Sequence, residues 1–199
     1  MGYPGHVELE QCCHRTLIRL GDLSRYREME LVDKDQDRDW APAIGYYDLA
    51  LTVCPGSGQP FNQRAIIAIA NRNLFRATYY AYRSLTAEDP HPQADDNLRR
   101  VMHMVAKAWD KGDLVSEPNA TAGAALPNNL VACFLRLVEQ DSRGIELSTN
   151  IELEKEVTNQ LRADLEREGD GAAPLKLVLT SIAAQQAAQD RLLSQRKSA

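Results

Sequence analysis

The sequence predicts an all-α protein: helical hairpins that stack on one another and continue into an α-helical bundle or solenoid. Three observations predict it. One pattern of small, aromatic, apolar and proline residues occurs twice at a fixed offset. Apolar residues elsewhere recur with the three-to-four-residue spacing of amphipathic helices. No segment alternates with period two over enough length to make a strand.

The repeat comes first. Ala43, Tyr47, Ala50 and Pro55 fit small-x3-aromatic-x2-apolar-x4-Pro, and Thr78, Tyr82, Leu85 and Pro90 fit it again, each 35 residues later. This spacing marks the second helix of a tetratricopeptide-type repeat, whose period is about 34 residues. The small residue lets two helices approach closely, and the aromatic and apolar residues fill the groove between them. Proline then stops the helix, because it lacks an N–H and clashes with the preceding turn. Tyr47 and Tyr82 are therefore expected at equivalent, buried positions of two hairpins.

The remaining elements follow in order. Val7 to about Leu31 reads as a long helix, with Cys13, Leu17, Leu20 and Ser24 on one line and Ile18 and Leu23 beside it. Asp33–Asp39 is a solvated acidic loop. Helices follow over about Trp40–Val53, with Pro42 tolerated in the first turn, over Phe61–Ala70 and over Leu74–Ala87. Cys54-Pro-Gly-Ser-Gly-Gln-Pro60 and Asp89-Pro-His-Pro92 are turns by composition. A fifth helix, about Gln93–Trp109, presents Leu98, Val101, Met102, Val105 and Ala108 on one face. Lys111–Pro127 reads as a long loop rich in Gly, Ala, Asn, Pro and Ser. Asn129–Glu139 is an apolar helix expected to be buried on most sides. Ile145–Arg167 is charged and amphipathic, Glu168–Ala172 breaks the chain, and Pro174–Gln195 forms the last helix.

Composition excludes several classes. Of the 199 residues 44% are hydrophobic and 26% charged, so a sizeable core can form. A net charge of −5 gives no whole-chain support for nucleic-acid binding, which needs a basic face; local patches such as Arg64, Arg72 and Arg76, or Arg99 and Arg100, remain open. Cys12, Cys13, Cys54 and Cys133 form no C-x-x-C pair and no Cys/His cluster at zinc spacing, which reads as buried, reduced thiols in a cytosolic or nuclear protein. The first residues lack the charged and apolar regions of a signal peptide, and no apolar run approaches the ~18 residues of a membrane span.

Chemistry is sparse. His6, His14, His91 and His103 lie in different elements with no partner in sequence, and there is no phosphate-binding or dinucleotide-binding glycine motif. The expectation is a non-catalytic protein without cofactor or metal. One stretch stands apart: Leu20-Gly-Asp-Leu-Ser-Arg-Tyr26. On a helix Gly21 and Arg25 share a face one turn apart, leaving room for something to approach the arginine. Arginine holds phosphate bidentately and a tyrosine hydroxyl can add a donor. The same spacing also fits a plain Asp22–Arg25 helix pair with Tyr26 in the core.

HRTLIRLGDLSRYRE (His14–Glu28), AIGYYDLALTVCPGSGQPFNQRAI (Ala43–Ile66) and ATYYAYRSLTAEDPHPQADDNL (Ala77–Leu98) resemble, in order and register, one stretch of the Est/Smg proteins. These are telomerase-associated factors and adaptors of nonsense-mediated mRNA decay, and the flavour is closest to members from filamentous fungi. The resemblance implies an all-helical, 14-3-3-like tetratricopeptide domain over residues 1–92, in its C-terminal half, and an α-helical hairpin region over 93–199. It implies that Arg25 and Tyr26 fall on the Arg-Tyr pair that meets phosphoserine in 14-3-3-like pockets, and that Asn62-Gln63 open a repeat helix in a structural role.

The departures set further expectations. The match begins near the middle of the 14-3-3-like module, so a further basic phosphate ligand is missing and the first helix should expose part of its apolar surface. Arg64 stands where the family usually has an apolar residue. After Leu98 the match weakens. The implied function is an adaptor binding a phosphorylated protein partner in an mRNA-decay or telomerase complex, in the nucleus, the cytoplasm or both. Nucleic-acid association and a scaffold without a phosphate pocket are the alternatives. Arg25 is expected on a concave face, at least partly accessible.

Overall fold

The computed structural model describes residues 4–32, 37–116, 128–144, 151–166 and 172–198. They form α1 (Pro4–Glu30), α2 (Ala41–Val53), α3 (Gln59–Ala70), α4 (Leu74–Leu85), α5 (Ala94–Lys111), α6 (Asp113–Ser116), α7 (Asn128–Ser142), α8 (Ile151–Leu165) and α9 (Ala172–Ser198). No extended strand occurs among the described residues. The fold is all-α.

Local chemistry sets the boundaries. Pro42 and Pro60 lie in the first turns of α2 and α3, where a missing N–H costs nothing. Asn73 caps α4 by accepting a hydrogen bond from the Arg76 N–H at 2.9 Å. Gly112, at φ +76°, ends α5 in the left-handed conformation that favours glycine. One further turn, α6, then forms inside the expected Lys111–Pro127 loop; residues 117–127 lie outside the described residues, as do 33–36, 145–150 and 167–171.

α1 packs on α2 and α3 on α4, and the two hairpins stack through α2 and α3. Tyr47 (0% exposed) and Tyr82 (2%) are buried on α2 and α4, as the repeat requires, with Ala43, Ala50 and Thr78 beside them. The two turns that follow these helices clasp each other. The Gly58 N–H donates to the Asp89 carbonyl at 2.8 Å, and the Asp89 N–H donates to the Gly56 carbonyl at 3.0 Å. The Ser84 hydroxyl donates to the Gly58 carbonyl at 2.9 Å. A Cβ at Gly58 would lie 2.5 Å from the Ser84 carbonyl oxygen, so only glycine lets the backbones come this close. The offset appears again between first helices: the Asn97 side-chain amide of α5 donates to Asn62 Oδ1 of α3 at 2.7 Å.

A small core joins α1, α2 and α3 around Ile18, Trp40, Tyr47 and Ile67. A larger one runs from α4 through α5 and α7 to α8 and α9, without interruption at position 92. α7 is its centre: Leu130, Val131, Ala132, Cys133, Phe134 and Leu135 are all buried, because α4, α5, α6, α8 and α9 surround it. Phe75 meets Phe134 edge-on with ring centroids 6.2 Å apart.

α1 departs from the expected pattern. None of the line Cys13, Leu17, Leu20, Ser24 is buried, although Leu17 packs partly against the core. The buried residues are His14, Ile18, Gly21, Arg25 and Glu28, one position on. Leu9, Leu20, Leu23 and Leu31 point away from α2 and are exposed. The helix carries apolar residues on two faces, and α2 selects the one on which a glycine permits the closest approach.

Candidate functional site

The site grows from that approach. A Cβ at Gly21 would lie 2.4 Å from Cε1 of Tyr47, so the gap left by the glycine is filled by this chain's own tyrosine ring. The Tyr47 hydroxyl reaches across to donate to Asp22 Oδ1 at 2.9 Å. The same carboxylate oxygen lies 3.5 Å from Nη2 of Arg25. Burial, with the Asp22 carboxylate beside it, pushes the Tyr47 phenol far above its ordinary pKa, so it stays protonated and a donor.

Arg25 is 4% exposed, not partly open to solvent as the sequence suggested. Tyr47, Asp22 and Met29 enclose it: its guanidinium lies over the Tyr26 ring, 4.3 Å from the centroid, and Nη1 donates to the Met29 sulfur at 3.3 Å. Its Nε–H is buried without an acceptor. Tyr26 is half exposed rather than in the core. The two alternatives read from the spacing are thus mixed. The Asp22–Arg25 pair exists, yet the arginine retains one unused donor and spends another on a thioether, a weak acceptor.

The neighbouring groups hold this arrangement. Glu28, one turn further along the buried face, accepts from Arg27 at 2.8 Å and from the Asp39 N–H at 2.9 Å. Those bonds hold its carboxyl below the usual range and tie the approach to α2 onto α1. Trp40 donates to Asn71 Oδ1 at 2.7 Å, fixing the start of α2 against the end of α3. Arg64 pairs with Asp48 of α2 at 2.8 Å and lies 5.3 Å from the Tyr80 centroid, so this polar departure links α2, α3 and α4.

The other candidates separate. Arg99 is paired with Asp95 and Asp96, which removes half of the Arg99–Arg100 patch. His14 and His91, distant in sequence, line one open cleft of about 740 Å³ with Cys54 and Asp89. Burial lowers both imidazole pKa values, with Asp89 partly opposing it at His14. No cluster of three or more residues suited to a metal occurs among the described residues, and no described helix is long and apolar enough to cross a membrane.

Stacked helical hairpins with Gly21 and Arg25 on the buried face of the first helix define an all-α, solenoid-like class, and comparison with known proteins specifies it. The family described as "Est1 DNA/RNA binding domain" matches residues 43–196, and that described as "Telomerase activating protein Est1" matches 5–31. The chain belongs to the Est1 family. It is similar to nonsense-mediated mRNA decay factor SMG7 of Arabidopsis thaliana, 46% identical over 86 residues, 43% of this chain and 8% of the relative. It is similar to nonsense-mediated mRNA decay factor SMG5 of Danio rerio, 37% identical over 101 residues, 50% of this chain and 9% of the relative. Telomere elongation protein est1 of Schizosaccharomyces pombe is 34% identical over 94 residues, 47% of this chain and 18% of the relative. The plant protein is more similar to this chain than this fungal one is. The chain spans less than a fifth of each of these relatives.

Sequence reading offered the Asp22–Arg25 pair but missed Tyr47, whose hydroxyl donates to the same carboxylate. The signal was present in Gly21, whose open side was assigned to a ligand instead of a ring. It also missed the Asn62–Asn97 bond, although those two residues share the offset of the repeat.

Proposed function

We propose that this chain is a non-catalytic adaptor module of nonsense-mediated mRNA decay or telomere maintenance, in which Arg25 and Tyr26 receive a phosphorylated segment of a protein partner. The observation that carries the site is the state of Arg25: a buried guanidinium with an unused Nε–H and an Nη1 that donates to the Met29 sulfur, a weak acceptor. A phosphoserine brings about −1.5 to −2 charges and three acceptor oxygens, and it would replace the thioether with a charge-assisted bond. Tyr26, half exposed beside the guanidinium, offers its hydroxyl. Asp22 already balances part of the arginine charge, so binding is expected to be weak. The names of the relatives support the two pathways.

Isothermal titration against phosphorylated and unphosphorylated forms of one serine peptide tests the site. Only the phosphorylated form should bind, and Arg25→Ala should abolish binding. Arg25→Lys keeps the charge but loses the fork and should retain a fraction of it. Equal binding of both peptides, or loss of folding in Arg25→Ala with full binding by Arg25→Lys, assigns Arg25 to the scaffold.

A second reading, nucleic-acid association, is favoured by the description of the family that matches residues 43–196. The pairing of Arg64 and Arg99 with carboxylates and the net charge of −5 weigh against it. Binding to a single-stranded oligonucleotide with a steep salt dependence would support it.

A further inference from the structure

A groove separate from Arg25 opens where the turn between α3 and α4 meets the end of α5 and α6. Its volume is about 350 Å³, at the small end of the ~300–1,000 Å³ typical of binding pockets. The floor is aliphatic, with Ile69, Leu74 and the partly exposed Met104. The rim is cationic: Lys107 and Lys111, one helical turn apart on α5, and Arg72, set at φ +55° in the turn. Asp113 is the one acidic residue in the described lining.

Acidic residues outnumber basic ones, 28 to 23. Arg27, Arg64, Arg99, Arg136 and Arg143 each hold a carboxylate. Lys107 and Lys111 hold none among the described residues. Two unpaired lysines beside exposed aliphatic surface match a ligand with the opposite layout, carboxylates flanking an apolar anchor. The lining contains no aromatic ring among the described residues, and single-stranded nucleic acid needs such rings for base stacking.

We propose that this groove is a docking site for an acidic peptide segment of a partner protein, seating one bulky apolar side chain on Ile69, Leu74 and Met104 while its carboxylates pair with Lys107 and Lys111. The site is independent of the phosphate reading at Arg25, because it uses no residue of α1.

The methionines make the test specific. The full chain labelled with 13C at methionine methyls gives four signals, among them Met104 in the groove, Met102 in the core and Met29 against Arg25. The probe is an unphosphorylated 12-residue peptide with Glu and Asp flanking a Leu-x-x-Phe core. Met104 should shift saturably while Met29 stays in place. Lys107→Glu with Lys111→Glu should weaken binding by about tenfold or more at unchanged melting temperature, and Lys107→Gln with Lys111→Gln by less. Replacing Leu and Phe of the peptide by Ser should also remove the shift. An unmoved Met104, or equal affinity for the charge-reversed variant, overturns the proposal. A larger Met104 shift with a 12-nucleotide oligothymidylate, lost in the same variant, overturns it in favour of nucleic acid.

Discussion

The ring of Tyr47 lies where a side chain on Gly21 would have to be, 2.4 Å from its Cβ position. This one relationship decides how closely α1 approaches α2, which face of α1 is buried and what surrounds Arg25. It also converts a feature that looked like an opening for a ligand into packing.

Gly21→Ala should therefore destabilise, although alanine is the better helix former. Tyr47 is fully buried and cannot swing away, so overpacking should cost about 1–3 kcal/mol. Gly45→Ala in α2 is the matched control, because a Cβ there meets nothing within 4 Å. It should stabilise by about 0.5–1 kcal/mol. Urea denaturation of both variants checks the opposite signs.

The two repeat tyrosines should differ in what their hydroxyls contribute. Tyr47→Ala and Tyr82→Ala should each cost about 3–5 kcal/mol, the loss of a large buried aromatic. Tyr47→Phe keeps the ring and removes the hydroxyl that donates to Asp22, and should cost about 0.5–1.5 kcal/mol. A double-mutant cycle with Asp22→Ala measures the coupling directly.

Glu139 is 2% exposed and holds Arg136 at 2.8 Å and Arg143 at 3.2 Å. Removing both arginines together strands a buried carboxylate and should cost about 3–5 kcal/mol. Glu139→Gln should cost less, about 1–2 kcal/mol, since both arginines can turn toward solvent. Urea denaturation of the double arginine variant and of Glu139→Gln measures the difference.

His14 and His91 have folded-state pKa values below their unfolded values because burial disfavours the charged ring. Their contribution is fully present above the unfolded pKa of about 6.5. It is lost as pH falls from there toward the lower folded values, because the unfolded chain takes up protons first. The melting temperature should drop between pH 7 and pH 5, and His14→Gln with His91→Gln should flatten that slope. An unchanged slope in the double variant would assign the acid sensitivity in this window to other groups.

Much of the architecture was legible in the residues alone. The 35-residue offset located Tyr47 and Tyr82, and Pro42 marked the first turn of α2, because these are local, periodic effects; Pro60, read as part of the preceding turn, lies in the first turn of α3. Leu98, Val101, Met102 and Val105 were correctly read as one buried face of α5, since that helix has a single apolar stripe. α6 was not legible, being one turn after a glycine cap in a stretch of loop-like composition.

What the sequence determined, then, is the set of helices and the repeat that stacks them, both carried by spacing along one chain. What only the tertiary structure decided is which of two apolar faces of α1 turns inward and what state its arginine adopts. Both depend on a residue 22 positions from Arg25, the Tyr47 ring lodged against Gly21. A helix with apolar residues on two sides has no preferred inward face by itself; the partner that can approach most closely selects it.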